Sequence, residues 1–259
     1  MNTADLRTGA LAWDVTGNTA DRGLVLVHSL GADSRMWRDQ ISEFSRHRRL
    51  VTMDLPGHGG SSADEGEYSV ETLALDIADI AAEAGLDTFD LCGISIGGVI
   101  SLWMAINLPE RVDRLIACNT GAKIGTEEAW SQRIEAVLAG GMDEIRDTVV
   151  PRFVTGDLEQ RRPRAFRQVY EMFDGIDPVG YAGCCAALRD IDLRTSVTAI
   201  DKDTLLIGGA EDVATPPETM MSLQQSISGS RLTIIEGAAH LSNIDQPARF
   251  TETALTALT

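Results

Sequence analysis

Positive charge is short in this chain relative to negative. Its 259 residues carry 22 Lys and Arg against 39 Asp and Glu, a formal net charge of −17. Nucleic acids and anionic membrane surfaces are held by basic patches, so neither is an expected partner. No apolar core of a secretory signal stands between residues 1 and 10, where Asp5 and Arg7 interrupt the run. The longest apolar stretch, residues 91–106, is short for a bilayer span and is broken by Ser95, Ser101 and the glycines at 93, 97 and 98. Four cysteines, at 92, 118, 184 and 185, lack metal-ligand spacing, and a bridge between the neighbours Cys184 and Cys185 would be strained. Reduced, buried thiols in a cytoplasmic protein are expected, with no metal. Repeats, low-complexity tracts and flexible linkers are also missing, which leaves one continuous catalytic unit.

What is present is an alternation of short apolar runs and amphipathic stretches, the pattern of an α/β protein with a mostly parallel sheet flanked by helices. Strands are expected at 24–27, 50–53, 89–92, 112–117, 205–207 and 232–235. Helices are expected at 70–84, at 98–108 and from about 247 onward. Residues 122–194 break the rhythm with helical patterns at 127–138 and 163–173 and no convincing strand. That segment also holds 10 of the 22 basic residues but only 13 of the 39 acidic ones. We read 1–121 and 195–259 as the core and 122–194 as a helical cap inserted over the C-terminal edge of the sheet, where open α/β sheets bind ligands.

The most informative run is Gly93-Ile94-Ser95-Ile96-Gly97. A strand that turns sharply into a helix strains its turn residue, and flanking glycines give the room that leaves Ser95 projecting from the tip. A serine hydroxyl needs a base. Of the four histidines, His240 follows the strand 232–235 and can swing over the sheet edge. His47 sits among arginines in a surface turn, while His28 and His58 suit structural hydrogen bonds. The acid that orients the imidazole is expected after the strand 205–207, where Asp212 is preferred to a solvent-facing Glu211; the end of the preceding strand offers only uncharged Asn119. A helix-capping role for Asp212 is the plain alternative. Oxyanion donors are expected from the backbone N–H groups of Ile96 and Leu30.

With these residues in place the sequence resembles the α/β-hydrolases over essentially its whole length. More narrowly it resembles the 3-oxoadipate enol-lactone hydrolases, through residues 28–33, 54–61, 93–98, 118–125, 181–194 and 237–247. The resemblance implies an α/β-hydrolase fold, no cofactor, and opening of a small anionic lactone to 3-oxoadipate in aromatic-compound catabolism. An acidic protein with such a substrate must gather positive charge locally. Trp130 and Arg133, three apart on the first cap helix, share one face. Arg133 is expected to pair with the substrate carboxylate and Trp130 to pack over the ring, the alternative being a solvated helix face with Arg133 bound to a nearby Glu. A carboxylesterase or a C–C bond hydrolase on the same three residues remains an open reading, as does a binding protein that senses a small ligand.

Overall fold

The computed structural model describes residues 1–18 and 22–258. Eight strands form one sheet in the order β1-β2-β4-β3-β5-β6-β7-β8. The chain opens with a hairpin, β1 (Asn2–Leu6) and β2 (Gly9–Thr16), paired antiparallel. Then come β3 (Gly23–Val27), α1 (Arg38–Phe44), β4 (Arg49–Met53), α2 (Val70–Glu83), β5 (Phe89–Ile94), α3 (Ile96–Asn107) and β6 (Val112–Cys118). Helices α4 (Glu127–Gly140), α5 (Asp143–Val149), α6 (Leu158–Arg161), α7 (Pro163–Asp174) and α8 (Pro178–Asp190) separate β6 from β7 (Asp203–Gly209). The chain closes with α9 (Pro217–Ser226), β8 (Arg231–Ile235), α10 (Ser242–Asp245) and α11 (Pro247–Leu258).

From β4 to β8 every pairing is parallel. The five residues of β3 and all six of β5 are buried, as befits central strands covered by helices on both faces. This is why their sequences are continuous apolar runs without alternation. The N-terminal hairpin went unforeseen because β1 and β2 mix exposed and buried positions and carry Ala, Asp and Thr. The pairing of β2 with β4 is decided by the sheet edge it meets, not by local propensity.

The chain leaves β3 for β4 on one side, then crosses back to place β5 on the other side of β3. The crevice at the C-terminal ends of β3 and β5 is therefore the switch point at which α/β sheets bind ligands. Local signals support the elements that frame it. Ser69 and Thr72 form a reciprocal capping box at the start of α2. Helix α3 is buried over most of its length, from Ile96 to Ala105, so its sequence is apolar on nearly every face. No helix among the described residues is long and apolar enough to cross a membrane.

Candidate active site

The turn between β5 and α3 puts Ser95 at φ 59°, ψ −116°, a region that L-residues rarely occupy. Its surroundings hold it there. Ser95 N–H donates to the Cys118 carbonyl at 3.0 Å, and its own carbonyl accepts from Thr120 Oγ1 at 2.8 Å. The two glycines are demanded by close approach: a Cβ at Gly93 would lie 2.1 Å from the Gly97 carbonyl oxygen, and one at Gly97 would lie 2.4 Å from that of Val27. Ile96, the first residue of α3, presents its N–H in the helix's first turn, where backbone donors lack intrahelical partners.

Asp212 lies beyond β7 and is 2% exposed. Its Oδ2 accepts from Asn119 Nδ2 at 2.9 Å and Thr215 Oγ1 at 2.7 Å, and stands 2.9 Å from His240 Nδ1. Its Oδ1 accepts from the N–H groups of Ala214 and Thr215 at 2.8 and 3.0 Å. Burial alone would push this carboxyl up, but the neighbouring His240 and these donors outweigh it and hold Asp212 well below the ordinary carboxylate range. The carboxylate thus both caps its own turn and fixes the imidazole. Glu211 is exposed.

Ser95, His240 and Leu30 share the wall of a cavity of about 230 Å³. Trp130, Arg133, Arg152, Phe153 and Tyr181, all from the segment between β6 and β7, complete much of the remainder. Arg133 Cζ sits 4.9 Å from the Trp130 ring centroid, while Trp130 Nε1 donates to the Ile124 carbonyl at 2.7 Å. The indole is thereby locked and the guanidinium laid on its face. Among the described residues neither Arg133 nor Arg152 forms an ion pair, whereas Arg146, Arg161, Arg162, Arg189 and Arg194 each pair with a carboxylate. The pairing of Arg133 with a nearby Glu does not occur.

The comparisons with known proteins agree with this fold. A family model described as the alpha/beta hydrolase fold matches residues 24–247. The chain belongs to the α/β-hydrolase family. It is 34% identical to 3-oxoadipate enol-lactonase 2 of Acinetobacter baylyi over 91% of this chain and 88% of that protein. The crystal structure of the enol-lactonase from Burkholderia xenovorans LB400 superposes with a TM-score of 0.96 at 32% identity, covering 99% of both chains. The 2-hydroxy-6-oxo-2,4-heptadienoate hydrolase of Pseudomonas putida is 29% identical over 95% of this chain and 94% of that one.

In this α/β-hydrolase the other buried histidines are structural. His28 Nδ1 lies 2.8 Å from the Ser29 carbonyl, and its Nε2 accepts from Leu55 N–H at 2.8 Å. His58 Nδ1 lies 2.9 Å from the Pro56 carbonyl, and its Nε2 accepts from Gly31 N–H at 3.3 Å. Each ring therefore anchors its Nδ1 in its own segment and uses its Nε2 to tie the loop after β3 to the turn after β4, which holds Leu30 at the cavity. Burial pushes both imidazoles toward the neutral form, His58 down to about 3 with His28 adding its own repulsion. An unfolded histidine binds its proton near pH 6.5, so at lower pH the unfolded chain holds more protons than the folded one. The stability each ring contributes is complete above that pH and is lost as pH falls, for His58 down to about 3. Between about pH 7 and pH 5, His58 alone should remove about 2 kcal/mol. Urea midpoints measured across this interval should drop, and His58→Gln should flatten the slope; a flat wild-type profile would refute the assignment.

Several contributors to the site leave no mark in the sequence. Asn119, uncharged and so no candidate for the acid, nonetheless bridges the site: besides Asp212 it reaches the Ala239 carbonyl at 3.2 Å and accepts from Ser242 Oγ at 2.6 Å. Its φ of 43° is a conformation that Asn tolerates, a signal visible only in the backbone. Arg152 and Phe153 carried no pattern at all. All four cysteines are free and buried, and burial pushes the Cys185 thiol up to about 12. Among the described residues no cluster of His, Cys, Asp and Glu could hold a metal ion.

Proposed function

We propose that the protein is a serine hydrolase that opens 3-oxoadipate enol-lactone to 3-oxoadipate, in the cytoplasm and as part of aromatic-compound catabolism. One observation carries the reading: a serine hydroxyl, an imidazole backed by a carboxylate, and an arginine without a carboxylate partner face the same small cavity. A lactone bearing a free carboxylate needs each of these. Ser95 Oγ attacks the ring carbonyl while His240 Nε2 takes its proton and Asp212 steadies the resulting imidazolium. The N–H groups of Ile96 and Leu30 receive the oxyanion. Collapse breaks the ring C–O bond and expels an enolate, a far better leaving group than an alkoxide, which takes up a proton and becomes the ketone. Water, deprotonated by His240, then releases the acyl group from Ser95.

Arg133 supplies the charge that the acidic surface denies, held in place by the Trp130 indole, which itself lines the cavity beside the lactone ring. The identity to enol-lactonases over nearly the full chain supports this substrate. The test is a spectrophotometric assay of the enol-lactone beside a neutral aryl ester, with wild type and Arg133→Ala. A charge-assisted hydrogen bond is worth about 1.5–3 kcal/mol, so Arg133→Ala should lower kcat/KM for the anionic lactone by about 10–100-fold and leave the neutral ester within about threefold. If wild type turns over the lactone no faster than the ester, the substrate assignment fails while hydrolysis stands.

A further inference from the structure

His240 sits in the loop between β8 and α10, and loops are the least rigid place to mount a base. This loop is pinned on both sides of the histidine. On one side, Ala239 N–H donates to Asp245 Oδ2 at 2.8 Å. On the other, Leu241 N–H donates to the Phe153 carbonyl at 2.6 Å. The Phe153 ring lies along the imidazole, with centroids 6.2 Å apart and planes 23° from parallel. Asp245 ties the two pins together. Its carboxylate, wholly buried, also accepts from Thr155 N–H at 3.1 Å, and Thr155 Oγ1 stands 3.0 Å from Oδ1. Arg161 Nη2 at 3.8 Å is the nearest cation.

We propose that Asp245 is a positioning residue for His240, a clasp that locks the loop of the base to the strap 153–155, which lies within the segment between β6 and β7 and lines the cavity through Phe153. The inference rests on His240 acting on Ser95. A carboxylate suits the place because it only accepts, and both backbone N–H groups that face it only donate. Thr155 N–H lies 3.1 Å from both carboxylate oxygens, so an Asn oxygen at the Oδ2 place still faces both N–H groups, but its NH₂ then confronts Thr155 N–H from the Oδ1 place, donor against donor, and the negative charge that strengthens both bonds is gone, so the clasp slackens. Because Val149, Arg152 and Phe153 line the same cavity, the pocket wall and the base then move as one body.

The experiment compares wild type, Asp245→Asn, Thr155→Val and a control destabilised far from the site, Ile80→Val in α2. Three quantities are read: kcat and KM on an aryl ester, the rate of covalent labelling by a fluorophosphonate, and the far-downfield NMR signal of the proton between His240 Nδ1 and Asp212. A displacement of about 1 Å at a reacting group costs about 10²-fold. Asp245→Asn should therefore slow kcat and labelling by about 10–100-fold with KM within about threefold, and should broaden or erase the downfield signal well below its Tm. Thr155→Val should lower kcat severalfold with the same spectral change, and it keeps the test decisive if Asp245→Asn does not fold. Wild-type rates and an unaltered signal in whichever variant folds overturn the clasp. So does an equal loss of rate and signal in Ile80→Val, which would make the effect one of general stability. If Ser95→Ala still takes up the phosphonate, the serine-hydrolase reading itself fails; if that variant is inert while Asp245→Asn reacts as wild type, only the clasp does.

Discussion

Ser95→Ala should abolish turnover, by about 10⁵–10⁶-fold in kcat, while leaving the protein folded and the cavity able to bind. The direction follows from the site's division of labour. Without the hydroxyl no acyl group can be carried, and what is left is water in a pocket with oxyanion donors, a residue of catalysis far below the intact system. The fold is spared because Ser95 is held through its backbone: the bonds from its N–H to Cys118 and from Thr120 to its carbonyl survive the change. Alanine also tolerates φ 59° no better than serine, so the strain at the tip is unchanged. Kinetics on an aryl ester, calorimetry and phosphonate labelling check the three parts. Substantial residual turnover by a folded, unlabelled variant would move the nucleophile elsewhere.

Asp212→Asn should lower kcat by about 10⁴-fold, nearly as severe a loss from a change of one atom. Asp212 Oδ2 faces His240 Nδ1, Asn119 Nδ2 and Thr215 Oγ1, and Oδ1 faces two backbone N–H groups. An amide has one oxygen for these five groups, so its NH₂ must confront donors on one side. If it turns toward His240, the ring is driven to the tautomer that offers Nε2–H to the serine, and the base is lost. If it turns the other way, the loop 212–215 loses its anchor. Stability should fall as well, with a distinctive pH dependence. Because the folded carboxyl is held below its unfolded value near 3.9, its contribution is present above that pH and fades as pH drops through the folded value. The stability gap between wild type and Asp212→Asn should therefore be full near pH 7 and narrow below about pH 4. Paired urea titrations measure it; a gap that widens on acidification would contradict the assignment.

The N–H groups of Ile96 and Leu30 are main-chain donors, so side-chain replacement there is a weak probe. The histidine pair behind Leu30 offers a better one. His28 and His58 hold that loop through acceptor nitrogens on Leu55 and Gly31 N–H. Protonation of either ring puts donor against donor, so acid should loosen this side of the site along with the fold.

How far the residues alone reach can be seen element by element. Strands β3 and β5 were legible because central strands, covered on both faces, must be apolar throughout, and the turn at 93–97 because strain and close backbone approach leave only glycine beside the serine. Chain order then supplied a carboxylate after β7 and a histidine after β8, since a parallel sheet delivers every such loop to the same edge. These depend on local sterics and on burial, which are written into short stretches. The hairpin β1–β2, the bridge made by Asn119 and the clasp of Asp245 on residues 153–155 were not legible. The bridge and the clasp join groups far apart along the chain, 123 residues for Asn119 and Ser242 and 90 for Thr155 and Asp245, and a hydrogen bond leaves no periodicity at either end; the hairpin is local, but its place depends on the pairing of β2 with β4. Which arginines lack a carboxylate partner was likewise decided only by packing, because charge composition counts residues and says nothing about who stands within 4 Å of whom.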